Sequence, residues 1–290
     1  MKRWLRRSLF LALAVVLAGF LAVACGDDDE DEGGGEATPA GEETPAAGVT
    51  APELEDGTLQ ILSDIAYAPI EFYEAGTNEA TGLDVDLADA LGEKLGVEVE
   101  FINTGFDGII PALLAGDGDV IMSAMTITTE REAEIDFIPY INVGTGTLVA
   151  AGNPEGIAAL EDLCGLTVAV QEGTIQQDML DELNAGDCSD NQMEVVTFDQ
   201  NPLAVEELRV GGADAVLADF PVALNDANES DGELEVVGDQ FPTLMPYGIG
   251  LSKESTELKS ALEDALQEIK DDGTYESILA EWGLESAALE

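Results

Sequence analysis

Apolar residues along the chain alternate between the spacing of strands and the spacing of helices. Residues 59–62, Leu-Gln-Ile-Leu, predict a strand, and leucines at four-residue spacing predict a helix over residues 84–95. Residues 97–102 alternate as a strand does, and residues 107–114 predict a second helix. Strands that alternate with helices indicate an α/β fold built on an open, mostly parallel sheet.

The same alternation restarts in the second half of the chain. The elements predicted there are strands at residues 167–170, 194–198 and 214–218, a helix at residues 175–183, and a helix capped by Asn201. Residues 116–123 and 211–218 share one pattern, in which a glycine break and an aspartate precede an apolar strand. We therefore expect two similar lobes.

The C-terminal part predicts a strand at residues 248–251 and two further helices. The longer helix places four apolar residues on one face: Leu258, Leu262, Leu266 and Ile269. The short final helix carries Ile278, Leu279 and Trp282.

Residues 119–141 combine a buried strand, a tight turn and a short helix. Thr126 and Thr128 follow the strand, and each can cap the free N–H groups of a helix. Arg131 lies in the first turn, where a cation opposes the helix dipole and a bound anion would be favoured. We expect Arg131 to belong to an anion site. The alternative is a surface arginine paired with a neighbouring glutamate: Glu130, Glu132 or Glu134.

Asp219 occupies the corresponding place in the second lobe, just past the strand at residues 214–218. Ligands in open α/β sheets bind outside the carboxyl ends of the strands, so Arg131 and Asp219 are both candidates for ligand contact. The alternative for Asp219 is a helix cap before Phe220 and Pro221.

The charge of the chain excludes one class of partner. The sequence has 61 Asp and Glu residues against 10 Lys and Arg, a net charge of −51. Such a surface repels nucleic acid. The spread of the acidity suggests solvation in concentrated salt, or else a compositional bias of one lineage.

The chain contains no histidine, which removes Ser-His and Cys-His catalytic pairs and histidine ligands for a metal. We expect no metal and no cofactor.

The N-terminus has the pattern of an export signal. Residues 1–24 have a basic start and an apolar stretch that ends in small residues just before Cys25, and residues 21–25 resemble a bacterial lipobox. We expect cleavage before Cys25 and lipidation of that residue, so that the chain is anchored to the bilayer outside the cytoplasm. Arg6 and Arg7 leave a twin-arginine signal open. Residues 25–52 are acidic and nearly devoid of residues to bury, which predicts a disordered tether.

The run from Met125 to Arg131, Met-Thr-Ile-Thr-Thr-Glu-Arg, and the following Asp-Phe-Ile-Pro-Tyr at residues 136–140 carry a family resemblance. They are similar to the signature of bacterial extracellular solute-binding proteins of family 3, the amino-acid receptors of ABC importers, with Ala124 where glycine is usual. The resemblance extends from about Leu59 to Trp282.

The resemblance implies a two-lobed periplasmic-binding-protein-like fold of type II, in which each lobe is an open, mostly parallel sheet flanked by helices. The first lobe would comprise residues 53–143 and 242–290, and the second lobe residues 144–241. Two crossings, near residues 142–147 and 240–247, would join them. The implied partners are a free amino acid and ABC permease subunits, and we expect a monomer.

The resemblance also implies roles for the candidate site residues. Arg131 would bind the ligand carboxylate, assisted by backbone N–H groups near Thr126 and Thr174, and Asp219 would bind the ammonium. Tyr67 and Phe106 match positions where the family places aromatic rings against the ligand side chain; the alternative for each is core packing. The remaining candidates are Ala124, Asp64 and Gln171. Asp64 favours a polar or basic amino acid, and Gln171 stands where some relatives carry lysine.

Cys164 and Cys188 form an even pair outside any Cys-x-x-Cys spacing, which suggests a disulfide in an exported protein. Two free buried thiols are the alternative.

Two other functions also stay open. The first is an enzyme of the same fold, similar to a cyclohexadienyl dehydratase, with Glu172 or Asp64 as acid or base. The second is a ligand-sensing ectodomain. The function that we expect is a non-catalytic receptor that delivers a polar amino acid to an ABC permease.

Overall fold

The computed structural model describes residues 51–289, apart from the side chains of residues 239 and 241–243. Its strands are β1 (Thr58–Ser63), β2 (Ala66–Tyr67), β3 (Glu71–Tyr73), β4 (Ala80–Thr81), β5 (Glu98–Asn103), β6 (Val120–Ile121), β7 (Asp136–Ala150), β8 (Thr167–Gln171), β9 (Glu194–Phe198), β10 (Ala215–Asp219) and β11 (Leu234–Leu251). Its α-helices are α1 (Leu83–Leu95), α2 (Ile109–Ala115), α3 (Thr129–Glu134), α4 (Ile175–Ala185), α5 (Asn201–Arg209), α6 (Phe220–Glu229), α7 (Thr256–Asp271) and α8 (Thr274–Trp282). Short 3-10 turns lie at Pro52–Leu54, Phe106–Gly108, Leu160–Leu163 and Glu285–Ala287.

The local sequence pattern accounts for the helices that cover the first lobe. Leu87 and Leu91 of α1 are buried, and the helix ends at Gly96, whose left-handed conformation (φ 73°) suits glycine. Leu258 and Leu262 of α7 are buried on one face as predicted. The two helices therefore pack their leucines into one core with β1 and β6.

Eight strands form one sheet in the order β5-β1-β6-β11-β7-β10-β8-β9. The outer strands of both lobes pair in parallel. β1 pairs with β5 and β6 at one end of the sheet, and β8 pairs with β10 and β9 at the other. β7 and β11 pair antiparallel with each other and with the strands beside them. Because these two strands run through both lobes, they form the two crossings of the predicted two-lobed α/β fold, which is confirmed. The exact lobe boundaries stay predictions.

Close packing explains a glycine in one crossing. A Cβ added to Gly146 on β7 would lie 3.2 Å from the Cα of Phe220 and 3.2 Å from the Cβ of Ala223. Glycine at this position therefore lets α6 lie directly on the crossing strand.

The structure differs from the sequence predictions in several places. The strand predicted at residues 248–251 is the end of β11, which begins at Leu234. Asn201 does not cap α5 but is its first residue; Gln200 precedes the helix, and the Asn201 amide donates to Asp226 instead. The small sheet β2-β3-β4 was not predicted. Ala51 is already buried, inside the stretch predicted as tether.

Cys164 and Cys188 form a disulfide with a Cα–Cα distance of 5.2 Å, within the core of the second lobe. Of the helices in residues 51–289, none is long and apolar enough to cross a membrane. Cys25, the predicted signal peptide and nearly all of the predicted tether lie outside the described residues.

Candidate functional site

A cavity lies between the two lobes, where the strands of each lobe end. All nine residues that the sequence analysis selected as ligand contacts line it: Asp64, Tyr67, Phe106, Ala124, Thr126, Arg131, Gln171, Thr174 and Asp219. Four further residues line it without having been predicted: Glu71, Ser123, Ile175 and Gln176. The cavity volume is about 20 Å³, room for little more than one water molecule. The lobes are therefore closed on each other, and entry of a larger ligand requires them to separate.

Arg131 reaches from α3 across the cleft. Thr128 caps α3 by accepting a hydrogen bond from the Arg131 backbone N–H at 3.2 Å. The guanidinium donates through Nη1 to the carbonyl of Thr126 at 2.6 Å and through Nη2 to the carbonyl of Gly173 at 3.0 Å. It also lies over the ring of Phe106, 5.4 Å from the ring centroid. These contacts hold the N–H groups of the guanidinium at the cavity.

The alternative for Arg131, a surface ion pair, is not what the structure contains. Within the described part of the chain, Arg131 makes no ion pair with Glu130, Glu132 or Glu134. Burial lowers the pKa of Arg131, while the nearby charges of Asp178 and Asp219 raise it. A partly buried cation whose direct partners are neutral groups is suited to receive an anion.

Thr126, Thr174 and Ala124 shape the cavity through the backbone. Thr126 does not cap a helix, contrary to the prediction; it forms an isolated β-bridge with Tyr247. Thr174 does cap α4, its Oγ1 accepting from the N–H of Gln177 at 3.3 Å. Ala124 lies in the left-handed region (φ 48°) that explains why glycine is the usual residue there. Its N–H donates to the carboxylate of Asp84 at 3.0 Å.

Asp219 ends β10 and precedes α6, but its side chain makes no capping hydrogen bond. Instead the carboxylate accepts from Gln176 Nε2 at 2.9 Å and from the Tyr67 hydroxyl at 3.0 Å. The Tyr247 hydroxyl faces the same carboxylate without a hydrogen bond of ordinary geometry. Burial raises the pKa of Asp219 to about 6, and these hydrogen bonds and Arg131 oppose the rise.

Tyr67 contributes a polar contact that the sequence did not predict. Its hydroxyl donates to the Asp219 carboxylate and accepts from the Asp219 backbone N–H at 3.0 Å. The two residues are 152 positions apart and belong to different lobes. The predicted contact of the Tyr67 ring with a ligand side chain stays a prediction.

Asp64 also contacts the opposite lobe, through two glutamine amides. Gln171 Nε2 donates to Asp64 Oδ2 at 2.7 Å, and Gln200 Nε2 donates to Asp64 Oδ1 at 2.8 Å. Gln200 was not predicted, and no local pattern in the sequence marks it. Glu172, the other candidate acid or base, is exposed and does not line the cavity.

Glu71 is a buried carboxyl group that the sequence analysis missed. It accepts from the Ser123 hydroxyl at 3.0 Å, and its second oxygen has no partner among the described residues. Burial, reinforced by the nearby charge of Asp84, raises the pKa of Glu71 well above its usual range. A raised pKa favours the neutral form of Glu71, which limits the negative charge of the cavity. Among residues 51–289, no group of side chains has the arrangement of a metal site.

The cavity thus has the Arg131 guanidinium on the first lobe and the buried Asp219 carboxylate on the second. A small molecule with a carboxylate and an ammonium can bind both at once, and only when the lobes are close together. This chemistry fits a zwitterion.

Comparison with known proteins finds one family and several amino-acid-binding relatives. The model of the family of bacterial extracellular solute-binding proteins, family 3, matches residues 59–285. The L-cystine-binding protein of Escherichia coli K12 is 33% identical over 229 residues, 79% of this chain and 83% of the relative. The arginine-binding protein of Corynebacterium glutamicum is 29% identical over 293 residues, 98% of this chain and 94% of the relative.

Two solved structures are similar throughout the lobes. An ancestral arginine-binding protein bound to glutamine is 39% identical, with a TM-score of 0.73, covering 79% of this chain and 99% of that protein. An ancestral amino acid-binding protein, a precursor of cyclohexadienyl dehydratase, is 38% identical, with a TM-score of 0.72, covering 79% of this chain and 96% of that protein.

Proposed function

The chain belongs to the bacterial extracellular solute-binding proteins of family 3, and we propose that it captures a free amino acid between its two closing lobes and delivers it to an ABC permease. Relatives that bind cystine and arginine support this function. Its place of action is outside the cytoplasm, as for other members of the family.

One observation carries the proposal. Arg131 and Asp219 stand on opposite lobes and line the same small cavity. Neither lobe alone holds both charges, so an amino acid bound by its carboxylate and its ammonium stabilises the closed arrangement more than the open one. Ligand binding then drives closure in proportion to that difference in affinity.

The site favours a polar or basic side chain. Asp64 is an anion in the cavity, and Gln171 supplies an amide where a cation would suit an acidic ligand. Phe106 and Tyr67 line the cavity and would contact the apolar part of the side chain.

The mode of attachment is also a proposal. Lipidation at Cys25 would hold the protein at the bilayer, with residues 26–50 as an acidic tether. A flexible chain of this length spans roughly 25–30 Å. The protein would act as a monomer, since one chain supplies both halves of the site. Its acidic surface would suit concentrated salt.

We propose that the chain is not an enzyme. The solved precursor of a dehydratase is itself described as an amino acid-binding protein, and Glu172 lies outside the cavity. A ligand-sensing ectodomain would use the same site, and neighbouring permease genes would favour the transport function instead.

A thermal-shift panel tests the proposal. The purified chain is heated with each common amino acid, and with prephenate, in low and molar salt. A ligand at 100 times its dissociation constant raises the free energy of unfolding by about 2.7 kcal/mol, a measurable shift.

We expect one or a few amino acids to raise the melting temperature. If no amino acid does so and prephenate is bound and consumed, the receptor function is wrong and the enzyme takes its place.

A further inference from the structure

Two amide groups from the second lobe hold the Asp64 carboxylate. Asp64 directly follows β1 and is 3% exposed. Gln171 lies at the end of β8, and Gln200 lies immediately before α5. Their amide N–H groups bind different carboxylate oxygens, at 2.7 and 2.8 Å. The plane of the carboxylate is therefore fixed when the lobes are closed.

Asp64 and Gln171 are each held by a further hydrogen bond. The backbone N–H of Asp64 donates to the Ser123 hydroxyl at 3.0 Å. The Gln171 amide also donates to the carbonyl of Asp199 at 3.2 Å. Rigid mounting of this kind is what a binding site needs to distinguish ligands by the direction of their hydrogen bonds.

The Asp64 carboxylate is bound by neutral groups in the described part of the chain. Among the described residues, no lysine or arginine donates to Asp64; its side-chain donors are the two neutral amides. Burial raises the pKa of Asp64, and the hydrogen bonds from Gln200 and Gln171 oppose the rise. A buried anion without a counter-charge is unfavourable, so a cation beside Asp64 would be stabilising.

Asp64 keeps acceptor sites for a ligand. A carboxylate offers about four lone-pair sites, of which the two glutamines use one on each oxygen. Asp64 lines the cavity, whereas Gln200 does not. Gln200 therefore acts on a ligand through Asp64 and not by direct contact.

We propose that Gln200 is a positioning residue for specificity: with Gln171 it fixes Asp64 so that the carboxylate receives the cationic end of the ligand side chain and selects basic amino acids. This inference rests on the proposed function, because Arg131 and Asp219 must already hold the α-carboxylate and the α-ammonium. A guanidinium suits the subsite best, since its planar set of N–H donors matches a carboxylate of fixed plane.

The test compares a cation with its neutral isostere. Dissociation constants of the purified full chain for L-arginine and L-citrulline are measured by calorimetry at one pH and salt concentration. The variants are Gln200→Met, which keeps the length of the side chain and removes the amide, and Gln192→Met as the control. Gln192 is exposed and donates to the Asn184 carbonyl within the second lobe. Thermal unfolding without ligand verifies that each variant is folded.

The wild-type chain should bind arginine more tightly than citrulline. Gln200→Met should reduce this preference by about tenfold, the effect of one hydrogen bond to a charged group, and Gln192→Met should leave it unchanged. Equal weakening of both ligands would mean that Gln200 only holds the lobes together, and would overturn the inference. So would an unchanged preference in Gln200→Met, or tighter binding of citrulline by the wild type. These three outcomes leave the proposed function standing, whereas failure of the wild type to bind any amino acid removes both.

Discussion

Replacing Asp219 by asparagine should weaken ligand binding strongly without destabilising the fold. Asp219 is 5% exposed, and its carboxylate accepts hydrogen bonds from Gln176 and Tyr67. Asparagine has the same shape, its oxygen can accept from Gln176, and its N–H₂ can donate to the Tyr67 hydroxyl. The substitution therefore removes the charge and keeps a bonded arrangement.

The pKa of Asp219 gives the size of the stability effect. Burial raises it from the usual 3.8 to about 6. At about 1.4 kcal/mol per pKa unit, the ionised carboxylate lowers the free energy of unfolding by about 3 kcal/mol at neutral pH. Asparagine carries no such cost, so the variant should be as stable as the wild type or up to about 3 kcal/mol more stable. Binding should instead weaken by about 2–5 kcal/mol, or roughly 30- to 5,000-fold, because the ligand ammonium loses its counter-charge in a dry site.

Urea unfolding and calorimetric titration at pH 7.5 measure the two effects separately. Asp226→Asn is the matched control. Asp226 also has a pKa raised to about 6, but it bonds to Asn201 and does not line the cavity. Its substitution should leave affinity unchanged. Affinity in Asp219→Asn within about threefold of wild type would remove Asp219 from the site. A loss of stability greater than about 2 kcal/mol would refute the reasoning from burial.

Four further predictions follow from the same structure. Arg131→Lys should weaken binding of every amino acid ligand at least about tenfold in calorimetry, because an ammonium cannot make the paired hydrogen bonds of a guanidinium; unchanged affinity would exclude a bidentate contact. Burial raises the pKa of Asp84 to about 7, so the folded chain binds the Asp84 carboxyl proton more tightly than the unfolded chain does. The free energy of unfolding in urea should therefore be about 2–4 kcal/mol higher at pH 5 than at pH 8. A lower free energy of unfolding at pH 5 would contradict this prediction. Reduction of the Cys164–Cys188 disulfide, which spans 24 positions, should lower the unfolding free energy by about 3 kcal/mol, and equal urea midpoints with and without reductant would argue against this. With a net charge of −51, the urea midpoint should rise between about 0.1 and 1 M NaCl as repulsion is screened, whereas a constant or falling midpoint would show that repulsion is minor.

Local patterns in the sequence predicted many of the helices and strands and the two principal charged candidates, Arg131 and Asp219. The four-residue spacing of leucines predicted α1 and α7, whose leucines are buried. Arg131 could be selected because it lies in the first turn of a helix that follows a buried strand, and Asp219 because it directly follows the strand predicted at residues 214–218. Such signals depend on neighbours within a few positions, which a sequence displays directly.

The length of the crossing strands was decided by tertiary structure. β7 and β11 span 15 and 18 residues, and their sequences contain glycines and prolines that favour shorter strands. Pairing with each other and with both lobes stabilises them over the full length, and this pairing joins residues about a hundred positions apart.

The partners of the site residues were likewise beyond the sequence. Tyr67 meets Asp219 across 152 positions, and Gln200 meets Asp64 across 136. Neither a tyrosine in a two-residue strand nor a glutamine before a helix has a local feature that reveals a partner in another lobe. The sequence by itself therefore indicated which charged residues line the cavity and which strands they follow. Only the closing of one lobe on the other decided which neutral side chains orient those charges, because hydrogen bonds require atoms within about 3 Å of each other in space.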